Sequence, residues 1–115
     1  MEGEISILLS SVPDEDTGAR IARELLDAKL AACVNIIPKI RSIYRWKGEV
    51  RDDAEVLLII KTQHDRVEDT IRAVKSLHPY DVPEIISIPI EAGWPDYMKW
   101  IIDETTTPKQ SGSQQ

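Results

Sequence analysis

Cysteine is almost missing from this chain. Cys33 stands alone, so no disulfide can form within the chain and a cysteine-rich zinc cage is excluded. A lone thiol fits a reducing compartment. Phenylalanine is absent altogether. Modules that read single-stranded RNA stack bases on aromatic side chains of their central strands, and the most apolar segment here offers only Val56, Leu57, Leu58, Ile59 and Ile60. Positive charge is the minority, with 14 Lys and Arg against 20 Asp and Glu and a formal net charge of −6. Binding to nucleic acid draws heavily on phosphate neutralisation, so no nucleic-acid partner is expected, whereas cations are tolerated. No apolar run reaches the 18 or so residues of a membrane span, and no basic region leads into an apolar run at the N-terminus. The expectation is a soluble, cytoplasmic protein with no membrane partner. Catalytic signatures are missing too: there is no G-x-S-x-G, no P-loop and no H-E-x-x-H. The sequence reads as a binding or regulatory protein, not an enzyme.

What is present is a long hairpin. Residues 30–62, LAACVNIIPKIRSIYRWKGEVRDDAEVLLIIKT, read as two strands joined at Trp46-Lys47-Gly48-Glu49. Each arm of about 14 residues would extend roughly 45 Å. A compact domain of this size has a radius of gyration of only about 13 Å. One subunit cannot cover such a hairpin, so its apolar side chains, among them Ile36, Ile40, Ile43, Tyr44 and Trp46, call for another chain. Pro38 interrupts the first arm and predicts a bulge or an edge position.

The remaining pattern fills in around the hairpin. Glu4–Ser11 is a short apolar strand. Pro13-Asp14 opens a helix to about Lys29, with Asp14, Glu15 and Asp16 in its first turn, where the helix dipole favours carboxylates. Thr62-x-x-Asp65 resembles a capping box for a second helix with Val67, Ile71 and Val74 on its buried stripe. A rigid loop, His78-Pro79-Tyr80-Asp81-Val82-Pro83, leads to a strand over Glu84–Ile90. Gly93-Trp94-Pro95-Asp96 starts a last helix. Residues 1–104 form one domain, and residues 105–115 are expected to be a disordered polar tail. The order is βαββαβ with a C-terminal helix, an α+β, ferredoxin-like pattern. Helices should cover one sheet face. The unbroken apolar run Val56–Ile60 reads as a strand buried on both sides. An acylphosphatase shares this order, but it needs a phosphate-cradling loop with an arginine near the first strand, and SSVPDED offers carboxylates there.

The segments LAACVNIIPKIRSIYRWKGEV, EVLLIIKT and HPYDVPEIISIPI together resemble the CutA divalent-cation-tolerance family over roughly residues 4–103. The resemblance implies a ferredoxin-like protomer in a tight homotrimer related to the PII signalling proteins, which hold nucleotide in clefts between protomers. It also implies a role in copper and other divalent-metal tolerance, with metal binding. Some members carry a cysteine where this chain has Ser10, and a second histidine where it has Leu77. Two soft or borderline ligands are therefore replaced, while Glu84 of the Pro-Glu step is kept.

Candidate metal ligands are His78, Asp81 and Glu84, clustered in the kinked loop. Imidazole with oxygen ligands suits Cu(II), or another divalent cation, weakly bound. The alternative is that His78 caps the preceding helix or bonds a neighbouring carbonyl. Lys61, Tyr80 and Trp94 are candidates for a small-molecule or nucleotide site in an intersubunit cleft. Their alternatives are a salt bridge for Lys61 and interface packing for the two aromatics. Three functions remain open: a metal-tolerance trimer, a PII-like sensor, and a structural trimer that anchors partner proteins.

Overall fold

A computed structural model of the chain describes residues 4–107. Its elements are β1 (Ile5–Val12), α1 (Glu15–Asp27), β2 (Cys33–Trp46), β3 (Glu49–Gln63), α2 (Val67–Leu77), β4 (Ile86–Pro89) and α3 (Pro95–Glu104), with a single 3₁₀ turn at His64–Arg66. The strands form one antiparallel sheet in the order β2-β3-β1-β4. This is the ferredoxin-like arrangement expected from the element order.

Period-two alternation divides the sheet into two faces. Leu8, Val12, Val56, Leu58 and Ile60 point to one side, where they pack with Ile21 and Leu25 of α1 and Val67 and Val74 of α2. Gly18 lets α1 sit close: a Cβ there would lie 3.0 Å from Leu58 Cδ2 and 3.4 Å from Val12 Cγ2. Asp14 caps α1 by accepting the Thr17 N–H at 2.8 Å, and that bond holds its carboxyl below the usual carboxylate range.

The second face is largely uncovered. The pairing register puts Ile7, Leu9, Ile37, Leu57, Ile59, Ile86 and Ile88 on it together. Ile86 and Ile88 are 51% and 46% exposed. Both faces were expected to be apolar, and they are; only one is covered within the chain. The helices do not all lie on one face, because α3 crosses the end of the second. There Gln63 Nε2 donates to the Ile102 carbonyl and to Thr105 Oγ1, at 3.3 and 2.9 Å.

The hairpin runs 14 residues up and 15 down. Lys47 and Gly48 turn it with φ of 51° and 82°, the doubly left-handed geometry that matches strand twist in two-residue loops. A register shift between Ile37 and Ile40 marks the Pro38 bulge.

Two further expectations need correction. Thr62 does not cap α2. It lies inside β3, fully buried, and its Oγ1 has no partner among the described residues; the 3₁₀ turn leads into α2 with no side-chain cap among them. Thr105, assigned by composition to the tail, is fully buried, and its carbonyl accepts from Arg66 Nε at 2.8 Å. Positions 108–115 of that tail lie outside the described residues.

Candidate functional site

The second face ends, toward the hairpin, in a groove of about 660 Å³. Strand β2 contributes Arg41, Tyr44 and Trp46, β3 contributes Arg51 and Glu55, and the end of β1 contributes Ser11. The loop after α2 closes one side with Tyr80, Asp81 and Glu84.

His78 positions that loop. It is the C-cap of α2, is 8% exposed, and its Nε2 lies 2.8 Å from the Ser11 carbonyl oxygen. The Tyr80 backbone N–H donates to His78 Nδ1 at 3.2 Å. A backbone N–H can only donate, so Nδ1 accepts and Nε2–H is the donor to Ser11: the pattern of a neutral imidazole. The His78 and Tyr80 rings stand 4.8 Å apart. Tyr80 Oη then donates to Glu55 Oε2 at 2.8 Å. Burial, followed by this bond to the carboxylate, pushes the Tyr80 hydroxyl well above the ordinary phenol range. Ser11, His78, Tyr80 and Glu55 thus form one chain of bonds from β1 through the loop to β3.

Outside it the hairpin carries its own pairs. Arg41 makes two bonds to Asp52, at 2.9 and 2.7 Å, which hold the Asp52 carboxyl below its usual range. Tyr44 Oη donates to Asp53 Oδ2 at 2.5 Å, and this bond raises the Tyr44 hydroxyl.

The expected metal ligands are only partly brought together. Asp81 and Glu84 line the groove. His78 lies beneath it with both ring nitrogens in hydrogen bonds. Glu84 Oε1 accepts from Ser11 Oγ at a long 3.4 Å. Among the described residues no group of three His, Cys, Asp or Glu side chains is placed to hold a metal ion. Ser10, in the place where some members of the family that the sequence resembles carry cysteine, points into the helix-covered core opposite Leu58, and its buried Oγ has no partner among the described residues. As they stand, these donors do not fit a resident metal ion.

The expected cleft residues are dispersed. Tyr80 belongs to the groove. Lys61 lies near the far end of the same face, with Nζ 3.3 Å from Tyr97 Oη. Trp94 caps α3 and is 73% exposed. Sequence reasoning passed over Glu55. Its signal was there: a carboxylate immediately before an unbroken apolar run on the central strand is out of place unless something meets it.

Residues 6–104 match the family model described as "CutA1 divalent ion tolerance protein". The "Protein CutA homolog" of Xenopus laevis is 48% identical over 103 residues, covering 90% of this chain and 68% of the frog protein. The "Divalent-cation tolerance protein CutA" of Thermus thermophilus is 46% identical over 99 residues, covering 86% of this chain and 96% of that protein. The crystal structure of CutA1 from Oryza sativa superposes with a TM-score of 0.87 at 41% identity, covering 93% of this chain and 98% of that one. The chain spans 68% and 63% of the frog and mouse relatives' lengths.

Proposed function

The chain belongs to the CutA1 divalent ion tolerance family, and from that membership we propose that it acts in divalent-metal tolerance as a cytoplasmic homotrimer, a binding or regulatory module without catalysis. The observation that carries the trimer is the uncovered apolar surface. Ile43 and Val50 near the hairpin tip are 62% and 63% exposed, and Tyr44 and Trp46 beside them are 39% and 37% exposed. Neighbouring copies covering the hairpin would remove these side chains from water.

Copper is the finer part of this reading. Asp81 and Glu84 offer oxygen ligands on the groove wall, and His78 joins them only by giving up a hydrogen bond, because its lone-pair nitrogen, Nδ1, already accepts from the Tyr80 N–H and Nε2 carries the proton donated to Ser11. Cu(II) binding is therefore weak, with the carboxylates as its main ligands. The second reading is a small-molecule sensor of the PII type, which the size of the groove favours. Lys61 and Trp94 could serve such a site only across a subunit boundary.

The test is expression in metal-sensitive cells, with sedimentation of the purified protein alongside. The expected outcome is restored growth at raised copper by a chain that sediments as a trimer. Failure of the assembled protein to restore growth overturns the tolerance role. Restoration by a monomeric variant overturns the trimeric part.

A further inference from the structure

We propose that Thr107 is a phosphorylation site and that Arg66 receives its phosphate, so that the modification fastens the segment after α3 to the 3₁₀ turn before α2. That segment crosses the end of β3 that lies away from the hairpin turn. There Gln63 Nε2 donates to Thr105 Oγ1 at 2.9 Å and to Thr106 Oγ1 at 3.1 Å. Arg66 Nε donates to the Thr105 carbonyl at 2.8 Å, and its Nη2 donates to Thr107 Oγ1 at 3.0 Å.

The consecutive threonines are not equivalent. Thr105 is fully buried, and its hydroxyl donates to the Ile101 carbonyl at 2.8 Å. Thr106 is exposed, but its hydroxyl donates to the Ile102 carbonyl at 2.6 Å. Thr107 is exposed, and among the described residues its hydroxyl only accepts. Its proton is therefore not committed to a carbonyl, and reaching a kinase requires it to give up one exposed hydrogen bond. The sequence adds an independent mark. Pro108 follows Thr107 directly, and a threonine followed by proline is the step that proline-directed protein kinases select.

Arg66 is matched to a phosphate. Beyond the bonds to Thr105 and Thr107, its guanidinium N–H groups have no acceptor among the described residues. No Asp or Glu forms an ion pair with it among them, although Asp65 and Glu104 lie close in sequence to the two partners. Arg66 is half-buried, so salt screens its charge less than that of an open side chain. A phosphoryl group on Thr107 Oγ1 would bring strong acceptor oxygens and nearly two negative charges to the place where Nη2 already points. The planar fork of arginine can then hold two of those oxygens at once. The transfer needs a nucleoside triphosphate bound by the kinase. Thr107 Oγ1 bonds to the γ-phosphorus, the bond to the β-bridging oxygen breaks and the nucleoside diphosphate leaves. The hydroxyl proton passes to the catalytic aspartate of the kinase.

Treating the assembled full chain with ATP and, separately, a cyclin-dependent and a mitogen-activated kinase, both proline-directed, tests this. Mass spectrometry should place the phosphate on Thr107, and Thr107→Ala should lose it. Phosphorus NMR then follows the titration of the phosphate in the protein and in a free phosphopeptide of residues 104–112. The second pKa of an ordinary phosphothreonine is about 6. The Arg66 guanidinium should lower the midpoint in the protein by about 0.5 or more relative to the peptide, and Arg66→Gln should return it to the peptide's value. The melting midpoint should rise on phosphorylation of wild type and stay unchanged on phosphorylation of Arg66→Gln. If Arg66→Gln does not assemble, the comparison of protein with peptide decides. No incorporation by either kinase, or phosphate only on Thr106, Ser111 or Ser113, overturns the site. A titration midpoint equal to the peptide's overturns the role of Arg66, as does a fall in melting midpoint, which would mean that repulsion from Asp65 and Glu104 wins.

Discussion

Tyr80 shows how one side chain sets the chemistry of its surroundings. Its hydroxyl donates to the Glu55 carboxylate, and its pKa is raised first by burial and then by that bond. Tyr80→Phe leaves a buried acceptor short of its donor and should cost about 1–3 kcal/mol, read by urea unfolding at fixed protein concentration. The pH dependence follows from the sign of the shift. Below the ordinary phenol pKa, near 10, both folded and unfolded states keep the proton and the contribution is fully present. Above it the unfolded chain ionises while the folded one still holds its proton, so stability falls as pH rises. Wild type should therefore lose stability above about pH 10 faster than Tyr80→Phe, and the gap between them should narrow. A gap that widens would contradict the assignment. Ser10 makes the opposite case. Its buried hydroxyl has no partner among the described residues, so Ser10→Ala removes an unsatisfied polar group, and the midpoint temperature should rise. A fall would mean that the hydroxyl is satisfied by water. His78 was visible in the sequence with two roles open, metal ligand or helix cap and carbonyl partner, and the structure shows the second. Whether an imidazole binds a metal or a carbonyl depends on Ser11, 67 positions away, and no local pattern carries that pairing.

Elements were far more legible than sites, because their determinants are local. The positive φ of Lys47 and Gly48 follows from a two-residue turn between two long apolar arms, and the Pro38 bulge follows from a missing donor. The Thr62 capping box failed for a physical reason. A capping pattern competes with strand pairing, and Thr62 is paired with Ser6 in the middle of the sheet, where the ladder outweighs a single side-chain bond. Composition also misjudged Thr105, since a threonine-rich stretch reads as solvated until Gln63 and Arg66 are seen to hold it. At the turn the geometry of the hairpin can be tested without disturbing packing. A Cβ on Gly48 would meet nothing within 4 Å, but φ is +82°. Gly48→Ala should destabilise by about 1–2 kcal/mol through backbone conformation alone, as a lowered midpoint temperature with unchanged sheet content. An unaltered midpoint would show that the turn adopts another geometry.

At the scale of the whole molecule, shape and surface point the same way. The radius of gyration is 15.5 Å and the longest extent 53 Å, against about 13 Å for a compact chain of this length. The excess is the hairpin, which projects beyond the core with Ile43, Tyr44, Trp46 and Val50 exposed. Ile86, Ile88 and Trp100 add further exposed apolar surface elsewhere. Both outer strands, β2 and β4, have one edge unpaired among the described residues, and open edges invite pairing with another copy. The length argument was available from the sequence because reach scales with residue number. The contacts that complete the surface were not, because a single chain does not contain them. The assembly should therefore be obligate: sedimentation at submicromolar concentration should still give a trimer, and the unfolding midpoint should rise with protein concentration. Trp46→Ala probes the same surface from one residue. If a neighbouring chain buries this ring, the substitution should cost about 3 kcal/mol or more in the assembly and shift the trimer toward smaller species on dilution. In a free monomer the same ring is 37% exposed, and its loss would cost much less. A Trp46→Ala protein with wild-type stability and wild-type sedimentation would mean that the hairpin tip stays in water, and the reason for a trimer would have to be sought on the other face.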